Sequence, residues 1–160
     1  MSINDITIRE AKLYDVPFIS RIERELFDTP RSAEAITADI TKGGDDIYIA
    51  VVEQGNEKIG YADMRIVAGE AQIYNIAISH DYRAQGFGEM FLAHLTDKAR
   101  ETGCDSITLE VRSTNKAGVA LYSKLGFKEV GRRKGYDSSD NTDAILMTKD
   151  LIQLQVNVEL

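Results

Sequence analysis

Two apolar periods alternate along this chain: a two-residue period that marks half-buried strands and a 3.6-residue period that marks amphipathic helices. Residues 6–10 predict a short strand. Residues 16–26 then predict an amphipathic helix, with Pro17 suited to its first turn because the N–H that proline lacks is not needed there. A break at 28–31 separates it from a second helix over 33–41, entered from Ser32 as N-cap and closed by Gly43 and Gly44. Residues 46–53 and 58–67 are β-rich, and Gln54, Gly55 and Asn56 between them read as a hairpin. A turn at 68–70 leads into a third run over 71–79, so the three runs predict an antiparallel meander.

Beyond that point strands and helices alternate singly. Residues 83–88 predict a loop, residues 89–102 carry helical spacing at Phe91, Leu92, Leu95 and Ala99, and Gly103 stops them. A strand over 106–112 follows, then a short helix from Asn115 to Leu125 with Ala117, Leu121 and Leu125 on one face, ended by Gly126. Strand-like runs at 128–133 and 142–148 flank a polar loop over 136–141. The resulting order, β-α-α-β-β-β-α-β-α-β-β, predicts an α/β (α+β) fold with a mixed, mostly antiparallel sheet flanked by helices. One domain over 1–150 is expected, followed by an extension over 151–160. There Ile152, Leu154, Val156, Val158 and Leu160 alternate with polar residues as a further strand would. Such an apolar edge either extends the sheet or pairs with a second copy, so a monomer or a weak homodimer is expected.

Composition narrows the class. A length of 160 residues with 43% hydrophobic and 28% charged residues suits one globular core. No apolar run approaches the roughly 20 residues that span a bilayer, and the first ten residues are polar where a signal peptide needs an apolar stretch, so a cytoplasmic, membrane-free protein is expected. Cys104 is the single cysteine, which excludes an internal disulfide and any multi-cysteine metal site; no metal is expected. A formal charge of -7 disfavours nucleic acid as a partner. The same charge means that an anionic ligand needs a local site of backbone donors or positive charge.

The segment Arg83, Ala84, Gln85, Gly86, Phe87, Gly88 has the make-up of such a site. Its glycines let backbone approach a ligand closely, and the N–H groups and dipole of the following helix favour a pyrophosphate. A dinucleotide-binding fingerprint fails because Phe91 stands at the third glycine, and no Walker A sequence is present. Glycine-rich turns also occur with no ligand, and Glu110 stands about where a ribose-binding acid would, so a bare turn and a nucleotide-binding module both stay open on these residues alone.

The spacing Arg83-x-x-Gly86-x-Gly88 resembles the acetyl-CoA pyrophosphate loop of the GNAT (Gcn5-related N-acetyltransferase) family. The resemblance runs over 70–147 in ordered blocks: IYNIAIS at 73–79, LEVR at 109–112, Asn115, ALYSKLGF at 120–127, RRKGY at 132–136 and DAILM at 143–147. It is strongest toward the RimI-like branch, whose members acetylate the N-terminal alanine of ribosomal protein S18. The resemblance implies a GNAT fold, acetyl-CoA as cosubstrate and a protein N-terminal peptide, that of ribosomal protein S18, as acceptor. It also implies that the backbone of Ile76, Ala77 and Ile78 pairs with the pantetheine arm, that Arg83 to Glu89 holds the pyrophosphate, and that Asn115 contacts the pantetheine. Glu110 aligns with the family's general base and Tyr122 with its general acid. Without the resemblance, Glu110 reads as a solvated or arginine-paired strand carboxylate and Tyr122 as a boundary tyrosine.

Acetyl transfer to an amine needs a neutral nucleophile, a stabilised oxyanion and a proton for the thiolate. Alternation over 107–111 puts Ile107, Leu109 and Val111 on one strand face and Glu110 on the other with Thr108 and Arg112. An ordinary glutamate, with pKa about 4.3, needs desolvation or a bridging water to serve as base. A phenol, at about 10, can protonate a thiolate. A backbone N–H over 76–78 is the expected oxyanion donor. An α-amino group, near 7.7 to 8.0, is far more often neutral at cellular pH than a lysine at about 10.4, which favours an N-terminal acceptor.

The chain departs from its relatives in two places. Glu89 puts a carboxylate beside the pyrophosphate, where lowered cofactor affinity is expected unless it points away. Relatives carry a Pro-Trp-Ser-Glu-like block in the acceptor region, where this chain reads TPRSAE over 29–34 and contains no tryptophan. The other acceptor wall is expected from 136–143, with Asp137, Asp140 and Asp143. His80 reads as an exposed turn residue, His94 as a helix-surface residue and Cys104 as packing. A small-molecule amine acetyltransferase of the same fold and a non-catalytic acyl-CoA-binding module are the competing functions.

Overall fold

The computed structural model describes residues 5–137 and 142–152. Among these residues, seven strands and four helices follow one another as β1 (Ile6–Glu10), α1 (Val16–Leu26), α2 (Ala33–Lys42), β2 (Ile47–Gln54), β3 (Glu57–Val67), β4 (Glu70–Ile78), α3 (Phe87–Glu101), β5 (Ser106–Arg112), α4 (Lys116–Lys124), β6 (Lys128–Asp137) and β7 (Thr142–Asp150). Short 3-10 turns at Leu13–Asp15 and His80–Tyr82 lead into α1 and toward α3. The strands form one sheet in the order β1-β2-β3-β4-β5-β7-β6. Every neighbouring pair is antiparallel except β4 with β5. Among the described residues no helix is long and apolar enough to cross a membrane.

Alternation along the strands gives the sheet two apolar faces. One carries Ala50, Val52, Ile59, Met64, Ile73, Ile107, Leu109 and Met147 and is covered by the Phe87, Phe91, Leu92, Leu95 and Ala99 stripe of α3. The other carries Ile49, Val51, Tyr61 and Ala77 and is covered by Phe18, Ile19 and Ile22 of α1 and Ile36 of α2. Each helix thus supplies one apolar stripe to one face, as its spacing requires. The Ser32 hydroxyl caps α2 by accepting from the Ala35 N–H at 3.1 Å.

Four details differ from the sequence reading. α3 begins at Phe87 rather than at 89, because Gly86 takes the left-handed conformation (φ 85°) as N-cap and the buried Phe87 anchors the first turn. α4 packs through Val119, Tyr122 and Leu125 while Ala117 is exposed; a helix lying on the rim of the core buries a different stripe from the one its smallest residues suggest. β6 continues through Tyr136 to Asp137, which pairs with Thr142, so Tyr136 and Asp137 are strand rather than loop; the rest of the loop expected over 136–141 lies outside the described residues. His94 is half-buried rather than on the helix surface, stacked on Tyr48 and hydrogen-bonded to its hydroxyl at 2.7 Å. The strand expected over 151–160 falls mostly on 153–160, outside the described residues. Leu151 is buried, and its N–H reaches the Asp105 carbonyl at 2.8 Å.

Asp15 locks the entry to α1. It is fully buried, takes two guanidinium hydrogen bonds from Arg9 at 2.8 Å each, pairs with Lys58 at 2.8 Å and accepts the Lys12 N–H at 2.7 Å. Burial alone would raise its pKa, but the hydrogen bonds from Arg9, Lys12 and Lys58 outweigh it and hold the carboxyl well below the ordinary carboxylate range. A depressed folded-state pKa stabilises the fold fully above the unfolded value and progressively less as pH falls toward the folded value. Removing one member of a buried ion pair costs about 3 kcal/mol or more. Asp15→Asn is therefore expected to lower unfolding free energy by about that amount at pH 7 in urea titrations. The gap to the parent protein should stay flat from pH 5 to 8 and narrow below about pH 3.9.

Candidate active site

The sheet is split where chemistry was expected. β4 pairs with β5 only over four residues, from Glu70 with Ser106 to Ile73 with Leu109. Past that point Tyr74 is an extra, unpaired residue in the β3–β4 ladder, since Met64 faces Ile73 and Asp63 faces Asn75. Such a bulge bends its strand and increases local twist. The remainder of β4, residues 75–78, keeps β3 as its neighbour but leaves β5. The Ser79 N–H donates to the Ile59 carbonyl on β3 at 2.7 Å, so alternation turns the backbone groups of Ile76 and Ile78 the other way, into the gap. The Ile78 carbonyl on that side accepts from Arg83 Nε at 3.3 Å. The carbonyl of Ala77 points to β3, against Gly60. A half-strand whose outward backbone groups have no strand partner, beside a gap, is what an extended, amide-bearing chain would pair with.

The chain leaves that half-strand directly into the helix end expected to bind anions. Ala84 (φ 60°) and Gly86 (φ 85°) both take left-handed conformations and turn the loop into α3. The first i to i−4 bond of the helix runs from the Met90 N–H to the Gly86 carbonyl at 3.1 Å. The N–H groups of Phe87, Gly88 and Glu89 consequently have no acceptor within the helix. A Cβ at Gly86 or Gly88 would project into open space. Arg83, Ala84, Gln85 and Gly86 are exposed. Gln85 donates to the Asp81 carbonyl at 3.3 Å, which ties the loop to the preceding 3-10 turn. Glu89 is turned toward α4, where Lys124 pairs with it at 3.4 Å. That pairing neutralises the Glu89 carboxylate on the side facing α4.

Glu110 is the first β5 residue past the last β4–β5 pair, so it stands at the mouth of the gap. Its side chain lies on the face opposite buried Leu109 and Val111, which is the α1–α2 side of the sheet. Arg133 of β6 donates to its carboxylate and holds it in place. Two residues on, Arg112 pairs at 2.8 Å with Asp28, in the connection between α1 and α2, and so brings that connection to the rim of the same face.

Tyr122 approaches from the other side. It is half-buried, packs against the α3-side core and meets the Phe127 ring edge-on, with centroids 6.1 Å apart. Burial raises its phenol pKa above the ordinary value. Its helix is fixed at the N-terminus by Asn115, whose side-chain carbonyl accepts the Gly118 N–H at 3.0 Å. The residue expected to touch the pantetheine is thus also a helix cap, with its amide N–H groups not used in that bond. Two potential proton carriers, Glu110 and Tyr122, therefore lie on opposite faces of the sheet. Among the described residues no cluster of His, Cys, Asp and Glu is arranged to hold a metal ion.

Residues 12–127 match the family model described as Acetyltransferase (GNAT) family. The chain belongs to the GNAT acetyltransferase family. It is 34% identical over 143 residues to the [ribosomal protein bS18]-alanine N-acetyltransferase of Escherichia coli K12, a match covering 88% of this chain and 95% of the relative. The crystal structure of the E. coli ribosomal-protein-S18-alanine N-acetyltransferase superimposes with a TM-score of 0.83 at 30% identity, over 97% of this chain and 99% of that one. A putative acetyltransferase from Salmonella typhimurium, solved with its cofactor acetyl-CoA, shares the fold at a TM-score of 0.81 and 20% identity, over 98% of this chain and all of that one.

Several residues that shape this GNAT site escaped the sequence reading because their partners are distant in the chain. Lys124 meets Glu89 across 35 positions, and Arg133 meets Glu110 across 23. Gly60 is a third case, although a lone glycine inside a strand run does signal a close backbone approach. A Cβ there would lie 2.5 Å from the Ala77 carbonyl oxygen and 2.8 Å from the Ile78 side chain. Gly60→Ala is therefore expected to push the 77–78 half-strand and to lower stability by about 3 kcal/mol, the upper range for overpacking. Calorimetry checks the loss, and an unchanged melting temperature would contradict the close approach.

Proposed function

We propose that this chain transfers the acetyl group of acetyl-CoA to the α-amino group of a protein N-terminus, with the N-terminal alanine of ribosomal protein S18 as acceptor. The single observation that carries the donor half is the gap between β4 and β5, with an unpaired strand edge on one wall, a helix N-terminus beside it and Glu110 at its mouth. The acceptor half rests on the likeness to the S18-alanine acetyltransferases, which extends over most of both chains.

In this reading the outward backbone groups of Ile76 and Ile78, with Ala77 between them, align the amide-bearing arm of the cosubstrate. Arg83, Ala84, Gln85, Gly86, Phe87, Gly88 and Glu89 hold the pyrophosphate, chiefly through the free N–H groups of the first turn of α3. Asn115 adds a contact to the arm. Glu110, on the α1–α2 face, receives the proton that the attacking amine loses as its nitrogen bonds to the thioester carbon, directly or through one water. A backbone N–H of the half-strand stabilises the oxyanion that forms on the carbonyl oxygen. When the carbon–sulfur bond breaks, Tyr122 gives its phenolic proton to the departing thiolate. Base and acid lie on opposite faces of the sheet, so neither competes for the position of the other. The Arg133 pairing holds the Glu110 carboxylate.

The acceptor assignment is tested by incubating the protein with acetyl-CoA and three acceptors: an Ala-starting peptide, the same peptide blocked at its N-terminus with a free lysine, and a panel of small amines. Turnover of the first alone is expected. Turnover of small amines alone would replace the proposal with a small-molecule acetyltransferase, and acetyl-CoA binding without any turnover would leave only a binding module.

Tyr122→Phe is expected to cut kcat by about 100-fold, the lower range for general acid catalysis, while acetyl-CoA affinity stays near that of the parent protein. Equal turnover in that variant would remove Tyr122 as the acid. The sign of the pH dependence follows from burial: a phenol whose pKa is raised keeps its proton to higher pH. Loss of kcat from Tyr122 ionisation should thus set in only above about pH 10, and that limb should vanish in Tyr122→Phe.

A further inference from the structure

The block over 29–34 places Arg31 in a buried ionic cluster. The Arg31 guanidinium reaches Glu23 of α1 at 3.2 Å, Asp39 of α2 at 3.0 Å and Asp63 of β3 at 2.9 Å, and its own backbone N–H also donates to Glu23 at 3.3 Å. Glu23 and Asp63 are 1% and 0% exposed, so Arg31 neutralises charge that water does not reach. Arg65 completes the cluster, with Asp63 at 2.7 Å and Asp39 at 2.9 Å.

Glu23 sits at the centre of a second set of contacts. The Tyr61 hydroxyl donates to it, and burial together with the Glu23 charge pushes that phenol far above its ordinary pKa, so it remains a donor. The Asn75 amide also donates to Glu23, at 3.3 Å. Asn75 is the β4 residue just past the Tyr74 bulge and just before the half-strand at 76–78. One carboxylate thereby joins the connection between α1 and α2, through Arg31, to the strand that borders the gap, through Asn75. The same connection meets β5 at its other end, where Asp28 pairs with Arg112, two residues past Glu110 on the same face.

We propose that Arg31 is a positioning residue for the acceptor. Clamped by Glu23, Asp39 and Asp63, it fixes residues 27–32 as the wall against which the acceptor chain lies, in register with Glu110 and the gap. A guanidinium held by three carboxylates from three elements has one low-energy place, whereas the exposed Asp28–Arg112 pair alone would leave the connection free to move. The cluster touches the acceptor side of the sheet and not the α3 helix end, so its loss acts on the acceptor and spares the cosubstrate. This inference rests on the reading of the protein as an acetyltransferase of a peptide α-amine.

The test compares the parent protein with Arg31→Ala, Arg31→Lys and Asp39→Asn in steady-state assays with acetyl-CoA and an Ala-starting peptide, alongside amide hydrogen exchange. Arg31→Ala is expected to raise the peptide KM about tenfold, the size of one lost charge-assisted contact. The acetyl-CoA KM should change by less than about twofold, a small fraction of such a contact. Arg31→Lys should recover part of the loss. Amide exchange should quicken over residues 27–32 but not over 87–101. Asp39 is partly exposed, and Asp39→Asn leaves Arg31 in place for Glu23 and Asp63. It therefore serves if Arg31→Ala does not fold, and should move the peptide KM and the 27–32 exchange in the same direction by less. An unchanged peptide KM in folded variants, or equal changes in both KM values, would overturn the inference. If the parent protein acetylates no peptide, the acceptor reading fails by itself, and Arg31 is judged on the exchange pattern and on the KM of whichever amine is turned over.

Discussion

The parting of β4 from β5 is the constraint on which the rest of this structure depends. A parallel pair held for four residues and then broken by a one-residue bulge leaves backbone donors and acceptors unpaired in the middle of a sheet. Unpaired backbone is costly unless something pairs with it, so such an opening in an otherwise continuous seven-strand sheet points to a ligand with a backbone-like arm. Everything around the gap holds it open. The α3 stripe packs beneath it, Gly60 lets β3 approach the half-strand closely, and α4 sits on the rim with Tyr122 turned to the core.

Electrostatics then divides the two sides of the gap. On the α3 side, the unsatisfied N–H groups of the helix N-terminus provide positive potential inside a chain whose net charge is -7, and Lys124 offsets the Glu89 carboxylate there. On the α1–α2 side, each buried carboxylate among the described residues is matched by a guanidinium: Asp15 by Arg9, Glu23 by Arg31, and Asp63 by Arg31 and Arg65. Buried ion pairs of this kind add less to stability than their Coulomb energy suggests, because desolvation offsets it. What they specify well is geometry, and here the geometry is that of the connection facing Glu110.

The elements were largely legible in the chain because local chemistry wrote their ends. Pro17 in the first turn of α1, Ser32 before α2, and glycines after α2 and α3 marked boundaries that the structure keeps to within a residue or two. The departures have a common cause. The start of α3, the packed stripe of α4 and the half-buried His94 were all decided by what lies across from them, and no periodicity carries that information.

Sequence by itself determined the strand and helix order, the glycine-bearing turn at 83–88 that leads into α3, and the placement of Glu110 on the strand face opposite the core, because each follows from spacing within a few residues. It also carried, in ordered blocks from 73 to 147, the likeness to GNAT acetyltransferases. Only the tertiary structure decided that β7 inserts between β5 and β6, that Glu89 is answered by Lys124 and Glu110 by Arg133, and that Arg31 is buried among carboxylates. Those pairings join residues that are close in space and, for the most part, far apart in the chain. Their energies depend on burial and on a partner's position, and a linear pattern of apolar and polar residues specifies neither.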